Sequence, residues 1–197
     1  MIKSMVSTLM LGMGFQVLAC NGFAPENNLR LPIGADKTNN MTEQQYHQVL
    51  DRIENIYAPI IKAHGGTFFI DRLWSDATVN AYASRTGDQW AIHMHGGIAR
   101  HEFNSLDGLA LATCHELGHH LGGAPVSGGD STVTWITNEG QSDYFATTKC
   151  FRKYVEEDDN ISIVSKMNIP KVVKVDCESQ FSDPQEVAIC KRGAMAG

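Results

Sequence analysis

The chain has 197 residues, 43% of them apolar and 19% charged, with 16 Lys and Arg against 22 Asp and Glu for a net charge of −6. This length and composition suit one globular domain and exclude a disordered chain, a coiled coil and a multi-spanning membrane protein. The acidic excess also argues against nonspecific binding to nucleic acid, which needs basic patches.

The first segment reads as an export signal. Lys3 supplies a positive start, Met5 to Ala19 is mostly apolar, and the run is short for a membrane span. It closes on Val17-Leu18-Ala19-Cys20, which resembles a bacterial lipobox. The resemblance implies a signal over 1–19, a lipid on Cys20, and a mature chain in the periplasm, tethered to an envelope membrane. Cleavage after Ala19 without lipid is the alternative. With Cys20 set aside, four of the five cysteines remain, an even number that suits an oxidising compartment. Cys177 and Cys190 bracket a short segment and are the expected disulfide. Cys114 then pairs with Cys150, or both stay as buried thiols.

Residues 20–40 are rich in Asn, Pro and Gly and read as a tether ahead of a domain over 41–197. Thr42 and Gln45 have capping-box spacing, and Tyr46, Val49, Leu50, Ile53, Ile56 and Tyr57 follow a 3.6-residue period, so a helix runs from Thr42 to Gly65-Gly66. Strands are expected over 67–74, 79–83 and 89–95, the last two separated by a turn at Thr86-Gly87-Asp88. A second helix starts at Asn104 or Ser105, with Leu106, Leu109, Ala110, Thr113 and Leu117 inward, and stops at Gly122-Gly123-Ala124-Pro125. A glycine-rich loop, 126–134, is a candidate lid. Asn138 caps a helix from Glu139 to about Val155. The acidic run 156–160 reads as a solvated turn, Val172–Val175 as a short strand, and Pro184–Arg192 as a helix.

Within the second helix stands His115-Glu116-Leu117-Gly118-His119. A spacing of four puts both imidazoles on one face within reach of one ion, and puts Glu116 beside them to take a proton from water. With 8 His and 10 Glu in the chain, the pattern arises by chance in roughly 2% of such sequences, before a helix is required. A catalytic zinc site needs a third protein ligand and an open position. The metzincin pattern, which places a third histidine six residues after the second, fails because Pro125 stands there.

The gluzincins instead take a glutamate from a later helix. Residues 138–143, Asn-Glu-Gly-Gln-Ser-Asp, closely resemble the Asn-Glu-x-x-Ser-Asp of the thermolysin-like enzymes. Glu139 is then the third ligand, and Asp143, four residues on, accepts a hydrogen bond from a ligand histidine. Val79-Asn80-Ala81-Tyr82-Ala83 is similar to the Asn-Ala segment of the HtpX-like and CAAX-prenyl-protease family of gluzincins, with the same order of segment, strand, zinc helix and glutamate helix over roughly 41–155. The resemblance implies an α+β, zincin-like domain: a small sheet with an edge strand over two core helices that carry one Zn²⁺. It implies a zinc endopeptidase with Glu116 as general base, and a monomer acting on peptide or protein substrates of the envelope. It also makes 79–95 the rim of the cleft, with Asn80 and the backbone of Ala81 touching substrate. Unlike those relatives, this chain has no transmembrane run and no histidine after His120. The oxyanion donor is therefore open among Tyr144, His101 and Arg192. His93 and His95 read as lining residues, with substrate or a second metal as the alternative, and His120, pointing about 100° away from the ligand face, reads as lying behind a ligand or at the surface. A noncatalytic zinc-binding lipoprotein scaffold and a zinc amidase of cell-wall peptides are the alternatives.

Overall fold

A computed structural model describes residues 18–19, 22–25, 27–126 and 134–197. Most of the export signal, Cys20 with its expected lipid, and most of the candidate lid lie outside the described residues.

The first helix, α1 (Glu43–Ala63), begins with the expected capping box between Thr42 and Gln45. Its periodic face, Tyr46, Val49, Leu50, Ile53, Tyr57 and Ile61, is buried, each large side chain contributing about 1.5–3 kcal/mol on leaving water. That face packs on a mixed sheet of β1 (Leu18–Ala19), β2 (Thr67–Leu73), β3 (Ala81–Thr86) and β4 (Gln89–His95), in the order β1-β3-β4-β2. β3 and β4 form an antiparallel hairpin closed by Gly87-Asp88, β2 runs parallel to β4, and the two-residue β1 pairs antiparallel with β3. Alternation sets the two faces. Ala81, Ala83, Ile92 and Met94 have no exposed surface and point at the helices, while Tyr82, His93 and His95 lie on the other face.

A short helix, α2 (Gly96–Arg100), leads to α3 (Leu106–Leu121), whose residues from Ala112 to His120 are all buried. This is the central helix of the domain; Ser105 caps it, its Oγ accepting the Gly108 N–H at 2.9 Å. After the undescribed loop come α4 (Glu139–Phe145), one π-helical turn over Ala146–Cys150, and α5 (Phe151–Val155). Sequence reading expects one helix here, and the π turn is the departure. Cys150 stands at disulfide distance from Cys114 of α3, with Cα atoms 5.5 Å apart. Three further helices close the chain: α6 (Asn160–Ser165), α7 (Lys171–Gln180) and α8 (Pro184–Ala196). The observed class is thus α+β, as expected.

Three local readings need correction. Val172–Val175 is part of α7, not a strand. Pro170 sits at its N-cap, Val173 and Cys177 share the side that meets α8, and Cys177 reaches Cys190 there at 5.7 Å between Cα atoms. Tertiary pairing overrides the β-propensity of the valines. The acidic run is not merely solvated, because Arg52 and Arg192 both bond Asp158, and Asn160 is buried. Residues read as a tether are pinned: Leu31 N–H donates to Ala77 O at 2.8 Å, and the Asn39 amide donates to the carbonyls of Ala99, His101 and Asn104.

Arg192, only 5% exposed at its side chain, ties α8 to the start of α3. It donates to both oxygens of Asp107 at 2.9 and 2.6 Å, to Asp158 at 2.8 Å and to Asn160 at 2.6 Å. Burial alone would raise the Asp158 carboxyl, but bonds from Arg192 and Arg52 outweigh it and hold the group below the usual carboxylate range. A carboxyl depressed in this way adds stability above its unfolded value of about 3.9 and loses it as pH falls through the folded value. Arg192→Met, which strands Asp107 and leaves Asp158 with Arg52 alone, should cost about 3 kcal/mol in urea unfolding at pH 7. The difference from wild type should shrink as pH falls from about 4 towards 2; a flat difference would assign the loss to packing alone.

Candidate metal centre

The site lies where α3 crosses α4. Gly118 makes the crossing possible, since a Cβ there would stand 2.6 Å from the Ser142 Cα. Polar bonds clamp the approach. Thr137 donates from its hydroxyl to Gly118 O at 2.9 Å and from its N–H to His119 O at 3.2 Å. α4 starts at Asn138, whose side chain accepts the Gln141 N–H at 2.9 Å while Gln141 reaches back to the Asn138 N–H at 3.1 Å. Glu139 is thereby fixed at the first helical position, facing the imidazoles of α3.

Hydrogen bonds define the tautomers. His119 Nδ1–H donates to the Thr137 carbonyl at 3.0 Å, with Ser142 Oγ also 3.0 Å away. A carbonyl only accepts, so the proton sits on Nδ1 and Nε2 keeps its lone pair. His119 Nε2 is buried without a hydrogen-bond partner and lies 3.7 Å from Glu139 Oε2. Burial lowers the pKa of His119 and keeps it neutral. His115 Nδ1 bonds Asp143 Oδ1 at 2.8 Å, which directs its Nε2 to Glu139 Oε2 at 2.9 Å. Two imidazole nitrogens therefore converge on one carboxylate oxygen. The His119 Nε2 lone pair and that carboxylate repel unless a positive centre lies between them. Ligands about 2.0–2.1 Å from a tetrahedral ion stand about 3.3 Å apart, so spacings of 2.9 and 3.7 Å bracket that geometry.

Glu116 is fully buried on the same helix. Ligand-type atoms of His115, Glu116 and His119 all lie within 4.8 Å of one another, so this group can hold a metal ion, and among the described residues it is the one such cluster of three or more. The structure thus gathers His115, Glu116, His119, Glu139 and Asp143, read from two separate stretches of sequence.

A cleft of about 660 Å³ opens beside His115 and Asp143, with Val79, Ile98 and His101 in its wall. His101 is therefore at the cleft, and Tyr144, next to Asp143, is 65% exposed. Arg192 is removed from the oxyanion candidates because its guanidinium is spent on Asp107, Asp158 and Asn160. His93 and His95 do not form a second metal cluster. His93 bonds Ser84 and Asp71, and His95 lies 3.3 Å from Asp76, on the far face of the sheet.

Sequence reading missed the support behind the site. His120, one residue past the second histidine, is stacked between Trp90 and Trp135. Its Nε2–H donates to Ala91 O at 3.1 Å and its Nδ1 accepts from Arg85 Nε at 3.0 Å, while burial drives its pKa down to about 3. Arg85 also lies over the Trp90 and Trp135 rings. This stack fixes α3 against β3 and holds Trp135 two residues before Thr137. Its members are scattered through the sequence, so only the tryptophans hinted at it.

Gly118→Ala should cost about 1–3 kcal/mol, as overpacking of a tight contact does, and should reduce metal retention on dialysis. A variant as stable and as metal-retentive as wild type would show that the crossing is not needed. Comparisons with protein-family models, curated proteins and solved structures yield no match to this chain, so its chemistry is read from its own residues.

Proposed function

We propose that this protein is a zinc-dependent endopeptidase of the gluzincin type, with its peptidase domain in residues 41–197. The observation that carries the reading is the convergence of His115 Nε2 and His119 Nε2 on the Glu139 carboxylate, with Glu116 buried alongside. Two imidazoles and one carboxylate form a donor set that suits zinc.

His115, His119 and Glu139 would hold the ion, and Asp143 and the Thr137 carbonyl would fix the two rings so that each presents Nε2. Zinc bound there supplies a Lewis acid that lowers the pKa of water towards about 7 and polarises a carbonyl. Glu116 takes the proton of the attacking water and passes it to the departing amine, which needs a carboxylate close to both. His101 and Tyr144 remain as donors for the oxyanion. An extended peptide would lie along β3, with Asn80 and Ala81 on its path, the mode in which a strand adds to a sheet edge. The two cysteine pairs suit an oxidising, exported setting, and no helix among the described residues is long and apolar enough to cross a membrane. Together with the lipobox-like Val17-Leu18-Ala19-Cys20, this supports a periplasmic lipoprotein acting on envelope or misfolded proteins.

Elemental analysis of the purified chain should give about one zinc per molecule. Glu116→Gln should keep the metal and lose casein hydrolysis by about 10²–10⁴-fold. Glu139→Ala should lose the metal itself, and Asp143→Asn should weaken metal affinity by about 10–100-fold. Full casein hydrolysis in Glu116→Gln would refute the assignment, and hydrolysis of peptidoglycan but not casein would move the substrate to cell-wall peptides. Affinity should also fall in acid, because both imidazoles must be neutral to bind.

A further inference from the structure

The edge on which a peptide would add is already covered by the chain itself. β1 pairs with β3 at Leu18–Arg85 and Ala19–Ser84. Further along, Phe23 N–H donates to Ala81 O at 2.8 Å, and Ala24 N–H donates to Asn80 Oδ1 at 2.8 Å. Asn27 Nδ2 follows with a bond to Val79 O at 3.3 Å. The residues expected to touch substrate, Asn80 and Ala81, thus spend polar groups on residues 23 and 24. The Phe23 ring stands edge-on to the His115 ring with centroids 5.2 Å apart. Phe23, Ala24 and Pro25 form one wall of the cleft that reaches His115 and Asp143. A segment bonded to the edge strand, with an apolar side chain over a metal-ligand histidine, has the form of a bound peptide.

We propose that residues 22–25 are a built-in occupant of the peptide groove, and that the substrate which displaces them is an extended peptide carrying a bulky apolar residue where Phe23 lies. The inference rests on the peptidase reading for its substrate and on the strap's own contacts for its mechanism. Leu18 and Ala19 belong to the expected signal, so the strap proper starts beyond them. It is anchored downstream, where Leu31 bonds Ala77 and Arg30 bridges Thr78, so it can lift and return as a tethered competitor. It is also weakly held. Phe23 is 41% exposed, and two net hydrogen bonds are each worth roughly five-fold in an equilibrium constant. The strap should therefore weaken a competing peptide by about 10–30-fold rather than shut the site.

Gly22 offers a way to lift the strap without touching the metal residues. Its φ of +96° disfavours any other residue, and a Cβ there would overlap the Asn80 side-chain amide. The test compares the full zinc-loaded chain with its Gly22→Val and Phe23→Ala variants, all carrying Glu116→Gln so that nothing is cut. The probe is a fluorescent peptide of the sequence 21–28, followed by anisotropy. Gly22→Val should bind it about ten-fold more tightly than the chain with an unaltered strap. Phe23→Ala, which keeps both backbone bonds and loses only the ring contact with His115, should show a smaller gain, and a probe with alanine at the phenylalanine should lose most of either gain. Equal affinity for all three chains, or no binding to either variant, overturns the proposal. Casein hydrolysis by the same strap variants with Glu116 intact is the second readout. Faster hydrolysis at unchanged zinc content supports both readings. If none cleaves casein but the binding difference holds, the peptidase reading falls and the strap stands. Equal cleavage with equal binding removes the strap and leaves the peptidase.

Discussion

At Gly118, α3 passes α4 with no side chain between the two backbones, and a Cβ would meet the Ser142 Cα at 2.6 Å. The rest of the centre depends on that close approach. It brings Ser142 Oγ and the Thr137 carbonyl to His119 Nδ1, and Asp143 to His115 Nδ1. With both Nδ1 atoms engaged, both Nε2 atoms turn to Glu139. The Cys114–Cys150 pair ties the same two stretches about one helical turn before Gly118. A glycine at this place therefore serves the chemistry more than the helix, which gains nothing from it by propensity.

Burial then decides the charge states around this contact. His119 is 1% exposed and held neutral by desolvation, the form a ligand needs. His120, on another side of the helix, is neutral for the same reason but has both nitrogens engaged, by Arg85 and by the Ala91 carbonyl. Two adjacent histidines in one buried helix thus have different capacities. One has a lone pair facing a carboxylate, and the other is a packing element between two indoles.

Much of this was legible in the sequence because it is local. The capping box at Thr42, the cap at Asn138, the hairpin turn at Gly87-Asp88 and the spacing of His115, Glu116 and His119 are set by residues within a few positions of each other. Glu139 and Asp143 were legible as a pair four residues apart. What was not legible is long-range. Arg192 reads as a candidate oxyanion donor until Asp107 and Asp158 meet it across the fold. Val172–Val175 reads as a strand until Cys177 draws that segment onto α8. Residues 22–25 carry no periodicity, and only the paired edge of β3 gives them a place.

The far face of the sheet offers a useful contrast. Ser84 Oγ lies 2.9 Å from His93 Nε2, and His93 Nδ1 lies 3.1 Å from Asp71 Oδ2, distances that a nucleophilic triad would also have. Yet Ser84 is 5% exposed in the middle of a strand, and both nitrogens of His93 already have partners within the set. A hydroxyl in that position has its bond made and little room to meet a carbonyl. At the metal centre the account does not close in this way, because His119 has Nδ1 satisfied by the Thr137 carbonyl while its Nε2 is buried with no hydrogen-bond partner. The difference between the two constellations lies in which polar atoms remain to be satisfied. That remainder, more than the residue types, marks the α3–α4 crossing as the place that can hold an ion.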